Sequence, residues 1–94
     1  MALNVYVKAA TVTADGDATT TRAAVKGLNI ITTATAGSVV LKNGGSGGAA
    51  LLTVNTPAVA GMHDVFVPDD GILFADGVYV DVTNVTSVTV FYAG

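Results

Sequence analysis

Apolar and polar positions alternate most clearly near the C-terminus, where Val78, Val80 and Val82 fall on one face of an extended segment and Tyr79, Asp81 and Thr83 on the other. Residues 87–92 repeat the pattern. Val88, Val90 and Tyr92 share one side, and Ser87, Thr89 and Phe91 share the other, which leaves Phe91 as an apolar side chain on the polar face. Either both faces of that strand are covered, or the aromatic belongs to a contact between subunits. The pattern predicts strands over residues 4–13, 25–33, 38–42, 50–55, 63–67, 71–74, 78–83 and 87–92. They are separated by turn chemistry at Asp15-Gly16-Asp17, Ala36-Gly37, 43–48, 57–61, 68–71 and Asp76-Gly77. No helical periodicity intervenes, and parallel crossovers have no room. The expectation is an all-β chain, a small antiparallel β-sandwich or barrel of about 6–8 short strands. Segments 38–42 and 50–54 read as a hairpin, with Asn43-Gly44 able to take positive φ at its turn.

Composition sharpens this reading. Val, Ala, Thr and Gly number 16, 15, 13 and 11 of 94 residues, and Glu and Gln are absent, so the usual helix-forming surface residues are missing. Half the residues are hydrophobic and only 12% are charged, which argues against disorder. No cysteine is available for a disulfide or a thiolate metal site, so a core of this size must hold without covalent help. So few charges leave a solitary monomer short of solvated groups, and self-association is expected. A single domain spanning 1–94 is the economical organisation. Within it residues 1–14 serve either as an intersubunit arm or as an ordinary strand, because a terminal segment followed by the polar stretch 15–21 can add to a neighbouring sheet as readily as to its own.

Net charge of −3, with Lys8, Arg22, Lys26 and Lys42 forming no run, argues against a nucleic-acid partner. The start Met-Ala-Leu-Asn-Val-Tyr-Val-Lys lacks the basic and apolar regions of a secretory signal, and the longest uncharged stretch is broken by glycines and Pro57, so no membrane partner is expected and a soluble product made in the cytoplasm is.

Candidate chemistry is sparse. All seven carboxylates are aspartates, namely Asp15, Asp17, Asp64, Asp69, Asp70, Asp76 and Asp81. Asp15-Gly16-Asp17 resembles the opening of a calcium loop, but position twelve of such a loop is Lys26, and Asp beside Gly is ordinary turn chemistry. No metal site and no cofactor is expected. His63 is the only imidazole, and of Ser38, Ser46 and Ser87 only Ser46 has glycine on both sides, in a hairpin tip unsuited to holding a nucleophile. The glycines at 44–48 lack the Lys-Ser/Thr and helix of a phosphate cradle. Asn84-Val85-Thr86 matches a glycosylation triplet, but without an export signal it carries no weight. With no Trp, three Tyr and three Phe, stacking platforms for sugars are few. No catalytic residue is assigned. Val5, Tyr6, Val7, Tyr79 and Phe91 are the candidate interface residues.

Three segments carry a resemblance: Thr35-Ala36-Gly37-Ser38-Val39-Val40-Leu41 with the Gly-rich hairpin after it, Gly71-Ile72-Leu73-Phe74-Ala75-Asp76-Gly77-Val78-Tyr79-Val80-Asp81-Val82, and Val88-Thr89-Val90-Phe91-Tyr92-Ala93-Gly94. From about residue 34 onward the chain resembles small virion structural proteins of tailed bacteriophages, particularly marine and cyanobacterial ones. The first 33 residues contribute nothing to this likeness. The resemblance implies a non-enzymatic virion component, foremost a capsid decoration or cement protein that contacts itself and the major capsid protein. A neck or tail subunit is the alternative within that class, and a carbohydrate- or ligand-binding β-module the alternative outside it.

Overall fold

Alternating Val, Thr and Ala residues produce nine strands in the computed structural model, which describes residues 7–67 and 71–94. In chain order they are β1 (Lys8–Val12), β2 (Gly16–Thr19), β3 (Ala23–Thr32), β4 (Gly37–Asn43), β5 (Ala50–Thr56), β6 (Gly61–Phe66), β7 (Ile72–Phe74), β8 (Val78–Thr83) and β9 (Val85–Ala93). The described residues contain no helix. A five-stranded sheet runs β1-β9-β3-β6, with β7 also paired to β3, and a four-stranded sheet runs β2-β8-β4-β5. All pairings are antiparallel. The chain is therefore an all-β, two-sheet sandwich, as its punctuation predicts.

The inner faces meet in one core. Val25, Leu28, Ile30, Phe74, Val88 and Val90 come from the larger sheet, and Val39, Leu41, Val78 and Val80 from the smaller; all are essentially inaccessible to solvent. Each side chain of this kind contributes roughly 1.5–3 kcal/mol when fully buried. The predicted alternation in β8 and β9 holds: Val78, Val80, Val88 and Val90 face inward, and Tyr79, Asp81 and Phe91 lie on outer faces. The hairpin is also present, with Leu41 opposite Leu52 and Gly44 at φ 89°.

One strand carries no sequence signal of its own. Residues 15–21, which read from sequence as a turn and connector, contain β2, which pairs with β8 through Gly16 opposite Val80 and Asp17 opposite Tyr79. Its four residues have turn-type chemistry and no alternating apolar pattern. The segment is held instead by tertiary contact: the Asp15 carboxylate accepts the Val82 N–H at 2.8 Å. Predicted strand 4–13 is reduced to Lys8–Val12 among the described residues, paired to β9 of its own chain; residues 4–6 lie outside them.

A bulge in β3 sets the geometry of the outer surface. Val25 pairs with Tyr92 and Gly27 with Phe91, so Lys26 is the extra residue. The phase switch lets Ala23 and Val25 point inward before it and Leu28, Ile30 and Thr32 after it, which strict alternation could not achieve. Gly27 has to be small, because a Cβ there would lie 2.8 Å from the Val65 carbonyl oxygen on β6.

Thr32 ends the inward row of β3 in a buried position. Its hydroxyl donates to the Val59 carbonyl at 2.6 Å, with the Gly61 carbonyl at 3.1 Å. Thr32→Val keeps the shape and removes the donor, so it is expected to cost about 1–2 kcal/mol. Urea denaturation should show this as a lower midpoint with an unchanged slope.

Candidate functional site

The two outer faces of the sandwich differ in chemistry. On the four-stranded sheet the outward positions are Asp17 on β2, Tyr79, Asp81 and Thr83 on β8, Ser38, Val40 and Lys42 on β4, and Thr53, Asn55 and the exposed Leu51 on β5. Lys42 Nζ lies 3.2 Å from Asp81 Oδ2 and also donates to the Ser46 carbonyl. This is an ordinary solvated surface.

The outer face of the five-stranded sheet is built from rows that run across the strands. One row is Ala9, Phe91, Gly27 and Phe66, contributed in turn by β1, β9, β3 and β6. The next is Thr11, Thr89, Asn29 and Asp64, followed by Ser87, Ile31 and Met62. On the other side of the aromatic row lie Ala93, Ala24 and Leu73. Opposed residues in antiparallel strands share a face, so this grid follows from the register alone.

Four large apolar side chains stand open on this face: Phe66 at 93% exposure, Met62 at 63%, Leu73 at 50% and Phe91 at 36%. The polar row between them is internally hydrogen-bonded. Thr11 and Thr89 share a hydrogen bond of 2.8 Å between their hydroxyls, and Asn29 Nδ2 donates to Asp64 Oδ1 at 2.7 Å. Covering those pairs costs less than covering free polar groups, since each keeps its partner when water leaves.

Between Phe66 and Phe91 the surface dips into an open cleft of about 310 Å³, lined by Lys26, Gly27, Leu28, Asp64, Val65 and the two rings. Gly27 is its floor. The close approach of Val65 forbids a side chain at that position, so no side chain stands between the two phenylalanines in their shared row.

Of the residues singled out from sequence, Phe91 forms one wall of this cleft. Val7, 56% exposed, immediately precedes β1 at the margin of the same sheet. Tyr79 lies on the outer face of the other sheet, so the structure does not bring it to Phe91. Val5 and Tyr6 lie outside the described residues. Sequence reasoning missed Phe66, Met62 and Leu73. Met62, Asp64 and Phe66 do alternate with Gly61, His63 and Val65, but a central aspartate makes that set read as the solvated side of its strand.

The polar candidates are dispersed. Ser38 is on β4, Ser46 in the hairpin tip and Ser87 on β9, and exposed His63 lies on β6 opposite Ile30. Asp76, in the turn before β8, accepts from Asn43 Nδ2 at 3.1 Å while its own N–H donates to Asn43 Oδ1 at 3.0 Å, which clamps that turn to the end of β4. Asp69 and Asp70 lie outside the described residues. Among the described residues no three His, Cys, Asp or Glu side chains cluster as metal ligands.

Fold and surface together define an antiparallel two-sheet β-sandwich with one mainly polar outer face and one outer face that bears an apolar cleft and four exposed large apolar side chains. No family model, curated protein or solved structure matches the chain.

Proposed function

We propose that this protein is a non-enzymatic structural subunit of a bacteriophage particle, foremost a capsid decoration or cement protein that works through protein–protein contact. The observation that carries the contact role is the apolar outer face of the five-stranded sheet. Its exposed aromatic and aliphatic side chains surround hydrogen-bonded polar pairs, the composition of a surface that is covered in use. The particle itself is suggested by the likeness of residues 34–94 to small virion proteins. The major capsid protein is the partner in this reading, and a place in the neck or tail is its variant.

Copy number separates the positions. Quantitative mass spectrometry of purified particles is expected to find the protein in hundreds of copies, as a lattice-bound decoration requires. A few copies would place it in the neck or tail, and absence from particles would overturn the reading. The cleft between Phe66 and Phe91 favours one competing function, a ligand- or carbohydrate-binding module, because two rings flanking a gap can sandwich an apolar or sugar face. Saturable glycan binding by the purified domain, lost in Phe91→Ala, would support that module instead.

A further inference from the structure

We propose that the apolar outer face of the five-stranded sheet is covered by a second copy of this chain, packed face to face about a two-fold axis, with Phe66 of each copy seated in the Phe66–Phe91 cleft of the other. The inference deepens the structural-subunit reading and rests on it only in treating this face as a docking surface.

Self-complementarity is the first argument. An isologous interface requires one surface to carry both a projection and the recess that receives it, since every contact occurs twice. This face has both in a single row. Phe66 projects into solvent at 93% exposure, and the recess over Gly27 lies next to it, between β6 and β9. Reciprocal insertion places four rings in sequence, Phe91, the partner's Phe66, Phe66 and the partner's Phe91. Adjacent aromatic rings about 4.5–7 Å apart attract beyond the area they bury.

Area gives the second. The exposed parts of Phe66, Met62, Leu73 and Phe91 sum to roughly 500 Å², at the upper end of the patches that monomers leave uncovered. A standard interface buries about 800 Å² per partner, of which about 60% is apolar, so the apolar share required is again about 500 Å². Polar neighbours supply the remainder: Thr11 with Thr89 and Asn29 with Asp64 each keep one hydrogen bond when covered, and the second oxygen of the Asp64 carboxylate requires water at the rim of the interface.

The absence of native cysteine makes a direct test possible. Asp64→Cys places one thiol two residues along β6 from Phe66 on the same outer face, with both rings left in place, and Thr53→Cys places one on the outer face of the other sheet. A short thiol-to-thiol crosslinker is expected to convert Asp64→Cys to a covalent dimer at tens of micromolar and to yield no covalent dimer from Thr53→Cys. By sedimentation, the unmodified chain should be dimeric at about 50 µM, whereas Phe66→Asp should dissociate at least about a hundred-fold more readily with an unchanged circular dichroism spectrum. Because Phe66 is solvent-exposed, that substitution removes nothing from the core. A chain that stays monomeric to about 1 mM, a Phe66→Asp variant that still dimerises, or crosslinking that is more efficient in Thr53→Cys than in Asp64→Cys would each overturn the proposal. A monomeric chain that binds particles through this face, and loses that binding in Phe66→Asp, would sink the second-copy proposal while leaving the virion reading intact.

Discussion

Phe74→Ala is expected to destabilise the protein by about 3–5 kcal/mol, enough to consume much of the roughly 5–15 kcal/mol available to a small domain. Phe74 is the largest of the fully buried side chains, and it sits on β7, a strand of only three residues. It lies opposite Ala23, so a large residue fills the space that a small one leaves, and truncation opens a cavity in a close-packed core. For a chain of this length each kcal/mol moves Tm by about 4–8 °C, so thermal melting should show a drop of roughly 12–40 °C, or no folded state at all. A drop of less than about 5 °C would mean that β7 is not anchored as described.

The second large effect is expected at Gly37, the first residue of β4. A Cβ built there would lie 1.9 Å from the Thr83 carbonyl oxygen and 3.0 Å from Asn84 Cβ. Neither neighbour can retreat cheaply. Asn84 turns the chain from β8 into β9 at φ 53°, donates from Nδ2 to the Ala36 carbonyl at 3.2 Å, and accepts at its own carbonyl from Thr33 Oγ1 at 3.0 Å. The Gly37 N–H donates to buried Thr56 Oγ1 at 3.0 Å, which fixes the strand from the other side. Gly37→Ala must therefore displace backbone at a corner tied on three sides, with an expected cost of about 3 kcal/mol. Gly45, in the hairpin tip, has no atom within 4 Å of such a Cβ, and Gly45→Ala should stay within about 0.5 kcal/mol of the parent. Urea midpoints of the two variants give the comparison directly, and equal values would contradict the crowding at Gly37.

Crowding of this kind is invisible in one dimension, and so is most of the candidate site. Phe91 could be flagged from sequence because it interrupts an otherwise alternating strand. Phe66 could not, because its strand alternates Met62, Asp64 and Phe66 against Gly61, His63 and Val65, and neither set is purely apolar. Nothing in the chain announces that residues 66 and 91 are two strands apart in one row, since that fact depends on β6 and β9 both choosing β3 as partner. The bulge at Lys26 is equally hidden. It shifts the phase of β3 by one residue and thereby puts Gly27, rather than a side chain, on the outer face between the two rings.

By itself, then, the amino-acid sequence determined the class of fold. Val and Thr in period-2 runs, Gly and Asp at the breaks and a lack of helix-forming surface residues are local properties, and local sterics translate them into strands and turns. It also determined which positions of β8 and β9 enter the core, because period-2 alternation needs only one buried face to be read. Only the tertiary structure decided strand order, the extra edge strand β2 held by Asp15, and the apolar cleft over Gly27. These depend on pairings between residues far apart in the chain, whose free energy comes from backbone hydrogen bonds and packing shared across strands and is encoded in no single segment.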